Sequence, residues 1–240
     1  MRHIGLDVGI ERRRLLVVLV TIGLSVGMAY YFSHRPEWGG RSAVLLNACV
    51  WGILIGYAVR FRDAALGYLM GAAGWFGGME LFADFLCVRC TRTLDYGVSG
   101  SWMLLESPWW MPWSWGLLAV QFGVLGAAAI GRYGRTRGML LVGASAAVVI
   151  PFYEEMAWSA QWWRYLDCLM VGRTPIYIIL TEAMIGGALA LMGHGVLRNT
   201  SLRQSLRMGV ATGMFTILAG AIGWGLIEFL GQGKRPYGLF

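Results

Sequence analysis

The chain is 240 residues long, 57% hydrophobic and only 14% charged, with 35 glycines, 12 tryptophans and a mean hydropathy of +0.58. Soluble domains carry roughly a quarter of their residues charged, so this composition excludes a soluble protein and describes helices packed in lipid, where glycine lets backbones approach. The net charge of +7 comes from 20 basic residues scattered between apolar runs, which excludes a nucleic-acid surface, and the lone lysine, Lys234 in the tail, excludes a retinal Schiff-base pigment.

The predicted elements are all helices. Arg12, Arg13 and Arg14 precede an apolar run from Leu15 that is too long for a signal-peptide core and is followed by no small-x-small cleavage site; it reads as an uncleaved span near 15–33. Further runs of spanning length lie near 42–59, 64–87, 114–131, 138–158, 175–197 and 208–231. The expected fold class is an all-α polytopic membrane protein with about seven transmembrane helices in a single domain, 1–240. With the N-terminus cytoplasmic, 12 basic residues, among them Arg2, Arg60, Arg132, Arg135 and Arg198, fall on the cytoplasmic side and 8 on the other. That bias sets the expected orientation in a plasma or inner membrane and puts the two long connections, 88–113 and 159–174, on the non-cytoplasmic side.

Threaded this way, the membrane acids collect in one leaflet. Glu80 and Asp84 lie near the end of the third span, Glu154 and Glu155 near the end of the fifth, Glu182 about two turns into the sixth and Glu228 at the end of the seventh. A charge at the bilayer centre costs about 2.5–3.5 kcal/mol on insertion scales, so such groups are retained for a reason. At the opposite end His194 is the one titratable group within a span. Glu80 and Asp84 share a helix face at i, i+4, as do Glu154 and Trp158. Protonation, arginine or a bound cation relieves such repulsion, and Arg89, Arg92, Arg164 and Arg173 in the long loops are the expected partners.

Those loops are aromatic. Five tryptophans fall between Trp102 and Trp115, including Trp109 and Trp110, and Trp158, Trp162, Trp163 and Tyr177 surround the second loop. They are expected to fold back as a lid or re-entrant segment, with an interfacial aromatic belt as the alternative. Cys87 and Cys90 form a CxxC with no further ligands for zinc. A disulfide from Cys87 or Cys90 to Cys168 and free buried thiols stay open as alternatives.

Pro151-Phe-Tyr-Glu154-Glu155 resembles the EExxxR segment of intramembrane prenyl proteases, but Ser159 occupies the arginine position and the family's downstream histidines are missing. The stretch from Glu80 to Trp115, with an acid, Tyr96-Gly97 and then Pro108-x-x-x-Pro112-x-x-Trp115, distantly resembles the pattern of the integral-membrane carotenoid hydratases, and the chain as a whole is similar in its helices and acids to these and to the integral-membrane terpene cyclases. Glu106-Ser-Pro-Trp-Trp-Met-Pro112 and the blocks Pro151–Glu155 and Tyr177–Glu182 resemble motifs of an uncharacterised multi-spanning family. The hydratase and cyclase resemblance implies about seven helices with acids in an aromatic cavity that acts on an isoprenoid.

The first functional expectation is acid catalysis on an isoprenoid or other lipid, by cyclisation or hydration. Protonating an alkene requires a neutral acid in a dry site, and aromatic faces stabilise the cation that forms. Glu154, Glu155, Glu80, Asp84 and Glu182 are the candidate catalytic acids; Trp158, Trp162, Trp163, Trp109, Trp110, Tyr177, Arg164, Arg173 and Glu228 are the candidate substrate-binding residues. Two alternatives stand beside it: a non-catalytic subunit or assembly factor holding a pigment, lipid or partner protein, and a proton- or cation-binding transporter. No cofactor signature is present, although an all-oxygen carboxylate set suits a divalent cation. Expected partners are membrane lipid and a hydrophobic small molecule, with a membrane-protein partner or a second copy under the subunit reading and no nucleic acid.

Overall fold

Seven helices follow one another in chain order: α1 (Val8–Ser33), α2 (Gly40–Arg60), α3 (Ala64–Phe85), α4 (Met111–Tyr133), α5 (Arg135–Ser159), α6 (Ile176–Arg198) and α7 (Leu202–Trp224). The structure, a computed structural model, describes residues 8–237, and Arg2 lies outside them. Among the described residues six helices are long and apolar enough to cross a membrane. The seventh, α3, has the length but carries five glycines together with Glu80 and Asp84, which lower its hydropathy. The protein is therefore an all-α polytopic membrane protein. In α1 and α5 only 28% of the most apolar window is buried inside the protein, so most of that surface faces outward, as a lipid-facing helix requires.

The helices α3 to α7 form the body of the bundle. Within it α6 packs on α4, α5 and α7, and α3 packs on α4 and α7, while α1 and α2 form a hairpin laid against α4 and α5. Small residues set the closest crossing: Gly193 of α6 lies on Gly123 of α4, where a Cβ would collide with the Gly123 carbonyl. The hairpin is pinned at its far end. Arg14 donates through Nε and Nη2 to the two Asp63 oxygens at 2.8 and 2.7 Å, and Asp63 Oδ1 also accepts from Leu66 N at 3.0 Å as the N-cap of α3.

The two long loops are built to one plan. After α3 come β1 (Leu94–Asp95), the hairpin β2 (Met103–Leu104) and β3 (Ser107–Pro108), then α4; after α5 come β4 (Arg164–Tyr165), the hairpin β5 (Met170–Val171) and β6 (Thr174–Pro175), then α6. The loops join through the antiparallel β1–β4 pair, Leu94 opposite Tyr165 and Asp95 opposite Arg164. Leu105 and Glu106 turn the first hairpin with φ of 49° and 72°, a left-handed pair that matches strand twist, and Arg89 Nη2 holds Glu106 Oε1 at 2.5 Å. The buried rings Tyr96, Trp110, Trp162 and Trp163 hang from these loops, so they act as a lid over one end of the bundle.

Candidate functional site: an intramembrane carboxylate cavity

Beneath the lid, between the hairpin and the body, lies a cavity of about 220 Å³. Asp84, Glu154 and Glu182 line it, from the end of α3, the end of α5 and the start of α6. Each comes within a few turns of the lid end because α3 and α5 run toward it and α6 leaves it. The remaining wall is apolar and aromatic, with Leu46, Met111, Trp115, Phe122, Ile150, Tyr153 and Trp163, interrupted by Asn47, Ser114 and Gln121. Among the described residues that line it, none is Lys, Arg or His.

The three acids are held differently. Asp84 Oδ2 accepts from Tyr96 OH at 2.7 Å and Ser107 Oγ at 3.0 Å. Glu154 accepts from Trp163 Nε1 at 2.5 Å and, at 3.4 Å, from Tyr165 OH. Burial, with the neighbouring carboxyl groups adding to it, pushes the Tyr96 and Tyr165 phenols well above their ordinary value, so both act as neutral donors. Glu182 is 4% exposed and its Oε2 has no hydrogen-bond partner among the described residues. Asn47 is equally buried; its Nδ2 donates to Ala43 O and Ser114 Oγ, and its Oδ1 has no donor among the described residues. Two orphaned polar atoms in one apolar cavity call for a ligand or water to satisfy them.

The lid rings form one cluster over the acids: Trp163 lies 6.0 Å from Trp162, 6.1 Å from Tyr153, 6.3 Å from Tyr96 and 6.5 Å from Trp110, centroid to centroid. At its flank the cavity reaches the outside of the bundle. Ile22 and Val26 of α1 and Ser145 and Val149 of α5 all line it, and Val26 and Val149 are 45% and 48% exposed. The opening faces laterally, between two lipid-facing helices.

Of the expected catalytic acids, Asp84, Glu154 and Glu182 meet in the cavity, while Glu80, 1% exposed, lies behind the wall as a charge neighbour of Asp84 and Glu182. Glu155 does not join them. Adjacent helical residues point about 100° apart, and Glu155 turns outward, where its Oε2 lies 3.5 Å from Arg173 Nε and its Oε1 accepts from Arg173 N.

Among the expected substrate-binding residues only Trp163 lines the cavity. Trp162 and Trp110 are buried beside it and donate to Ser42 Oγ and Ser101 Oγ, and Tyr177 OH bonds Thr93 Oγ1. Trp158 lies under Arg173, 3.3 Å from ring to guanidinium, and Trp109 stacks on the exposed Trp102. Glu228 is spent on structure, accepting from Leu169 N at 2.7 Å and pairing with Lys234 at 2.8 Å.

The loop arginines leave the cavity acids unpaired: Arg89 holds Glu106, Arg92 lies over Tyr237, Arg164 holds Gln161, and Arg173 holds Glu155. No three His, Cys, Asp or Glu side chains among the described residues stand together as a metal site. All four cysteines are free, and burial, with Glu228 nearby, pushes the Cys168 thiol up to about 12, away from a reactive thiolate. The reading of the acids missed Asn47 and Gln121, although each is a lone amide inside an apolar run and so carried the same signal of intramembrane polarity.

Fold and cavity together define a polytopic helical membrane protein with buried carboxyl groups under a tryptophan-rich lid. The chain belongs to the family described as domain of unknown function (DUF6989), whose model matches residues 81–227, from the last turns of α3 through α7. The matched segment holds Asp84, Glu154 and Glu182, and leaves α1 and α2, with Asn47, outside. No curated protein matches the chain, and no solved structure does.

Proposed function

We propose that the protein is a membrane enzyme that takes an apolar, alkene-bearing lipid through the α1–α5 opening and transforms it by acid catalysis. The observation that carries this reading is a set of three carboxyl groups lining an apolar cavity that contains no cationic side chain. Among the three, Glu182 has an oxygen, Oε2, with neither cation nor donor among the described residues, and so is the group free to face a substrate. Glu182 therefore supplies the proton. It adds to one alkene carbon and leaves a carbocation on the other, which the faces of Trp115, Tyr153 and Trp163 stabilise.

Ring closure onto a second alkene, proton loss to the carboxylate of Asp84 or Glu154 and return of that proton to Glu182 give an isomer with no co-reactant; capture by water, whose excess proton leaves by the same carboxylates and returns to Glu182, gives a hydrate. Tyr96, Ser107, Trp163 and Tyr165 hold those two carboxyl groups in place. The volume selects the substrate. At about 220 Å³ the cavity is smaller than the roughly 300 Å³ at which ordinary ligand pockets begin, so it holds the reacting segment while the rest of the chain lies in the lateral opening. By the arginine balance, the cavity lies in the non-cytoplasmic leaflet.

The test compares lipid extracts, by mass spectrometry, from cells expressing the wild-type protein and Glu182→Gln. The expected result is a lipid present only with the wild type that is isomeric with, or one water heavier than, a precursor that accumulates with the variant. Identical profiles from two equally folded proteins would leave a non-catalytic lipid- or partner-binding subunit as the reading.

A further inference from the structure

A second cavity, of about 600 Å³, lies at the opposite end of the bundle between α1, α4 and α6. Arg12, Arg14, Arg132 and Arg198 line it with His194, and Glu11 is its one carboxylate. Arg14 is occupied by Asp63, whereas Arg12, Arg132 and Arg198 have no carboxylate within ion-pair distance among the described residues. Three guanidinium groups thus face one carboxylate around a single space. At least part of this charge complements the C-terminal ends of α4 and α6, where Arg132 and Arg198 fall in the last turn. That role needs no cavity, and it does not explain the floor.

The floor is apolar. Going inward from the charged rim, α1 presents Leu15, α4 presents Ala128, Ala127 and Val124, and α6 presents Leu197. On α1 and α4 the order is the same, charge at the helix end and hydrocarbon toward the bundle centre. The small side chains Ala127, Ala128 and Gly131 clear a channel along α4, and Ala128 and Gly131 are exposed at its mouth. A soluble anion has no use for such a floor. An anion carried on a hydrocarbon chain uses both parts.

We propose that this cavity is a binding site for the phosphate headgroup of an anionic phospholipid, with Arg12, Arg132 and Arg198 on the phosphate and the first carbons of an acyl chain over Ala127 and Ala128. Guanidinium forks match phosphate oxygens, and basic pockets between transmembrane helices are where such headgroups are held. The site is independent of the carboxylate cavity, from which it differs in charge and in the end of the bundle it occupies.

The test measures lipid retention by native mass spectrometry, and thermal unfolding, with the full chain in nanodiscs of phosphatidylcholine alone or containing phosphatidylglycerol. The wild type is expected to retain phosphatidylglycerol and to unfold at higher temperature in its presence. Each basic residue near the membrane surface contributes enough for about a fivefold change in affinity, so Arg132→Gln/Arg198→Gln should weaken retention roughly 25-fold. Arg132→Lys/Arg198→Lys should recover part of it. Both side chains lie on exposed rim residues, so unfolding in phosphatidylcholine should fall only by the small helix-end contribution of the two charges, and by less than in phosphatidylglycerol. Equal retention by the wild type and the double Gln variant would overturn the proposal. So would full displacement of the lipid by millimolar inorganic phosphate, which would make the site one for a soluble anion.

Discussion

Trp163 Nε1 donates to Glu154 Oε2 at 2.5 Å, so a ring on the lid and an acid in the bundle are joined across the turn that ends α5. The bond fixes which of the two adjacent glutamates serves the cavity. Trp163→Phe keeps an aromatic ring, though a smaller one, and removes the donor, leaving a buried acceptor unsatisfied at a cost of about 1–3 kcal/mol. Thermal unfolding in detergent should fall accordingly, and a smaller loss is expected for Tyr96→Phe, because Asp84 Oδ2 keeps the Ser107 hydroxyl.

Glu155→Gln should be nearly silent. Its side chain is 46% exposed and its ion pair with Arg173 is of the solvent-screened kind, worth about 0–1 kcal/mol. Glu154→Gln, by contrast, should lower formation of the product lipid several-fold while the protein stays folded, because Asp84 is then the one acceptor left in the cavity. Product formation lowered alike with both variants would place Glu155 at the chemistry after all.

The Arg14–Asp63 pair is buried, with side-chain exposures of 7% and 1%, and Asp63 caps α3 as well. Removing one partner of such a pair costs about 3–5 kcal/mol, because the other charge is stranded. Asp63→Ala should therefore destabilise the protein more than Arg14→Met/Asp63→Ala, which loses the same cap but strands no charge. Chemical unfolding of the two variants side by side checks the order.

Gly193→Ala should destabilise by about 1–3 kcal/mol through overpacking at the α4–α6 crossing, although alanine is the better helix former by about 1 kcal/mol. The new methyl meets the Gly123 carbonyl rather than a flexible side chain. Unfolding temperatures of Gly193→Ala and the lipid-facing control Gly71→Ala, which has open space, should move in opposite directions.

Val149→Trp tests the lateral opening. The residue is 48% exposed, so stability should change by no more than about 0.5 kcal/mol, yet the indole would stand where substrate passes between α1 and α5. Product formation should fall several-fold with the acids untouched. Unchanged formation would move the route of access elsewhere.

Seven helices were legible because hydrophobic runs of membrane length leave little choice, and the i, i+4 spacing of Glu80 and Asp84 placed both on one face of α3, a face the fold turns inward. Helix rotation was not legible at Glu154 and Glu155: two carboxylates in a row carry no sign of which one the neighbouring helices will cover. Trp158 shows the same limit. It shares the Glu154 repeat, but it lies half-buried outside the cavity, under the Arg173 guanidinium. Two-residue ladders such as β1–β4 have too few residues to show alternation, so the pairing of the two lid loops, and with it the delivery of Tyr96, Trp163 and Tyr165 to the acids, came only from the fold. The free loop arginines invited pairing with the acids; each found a nearer partner among Glu106, Tyr237, Gln161 and Glu155.

The most direct test of proton donation from Glu182 is the isotopic content of the product. Purified protein in lipid vesicles made from the expression host's own extract, incubated in D₂O, should place one deuterium on carbon in each product molecule, and Glu182→Gln should place none. A product that forms at the wild-type rate without carbon-bound deuterium, or equally well with Glu182→Gln, would contradict the account.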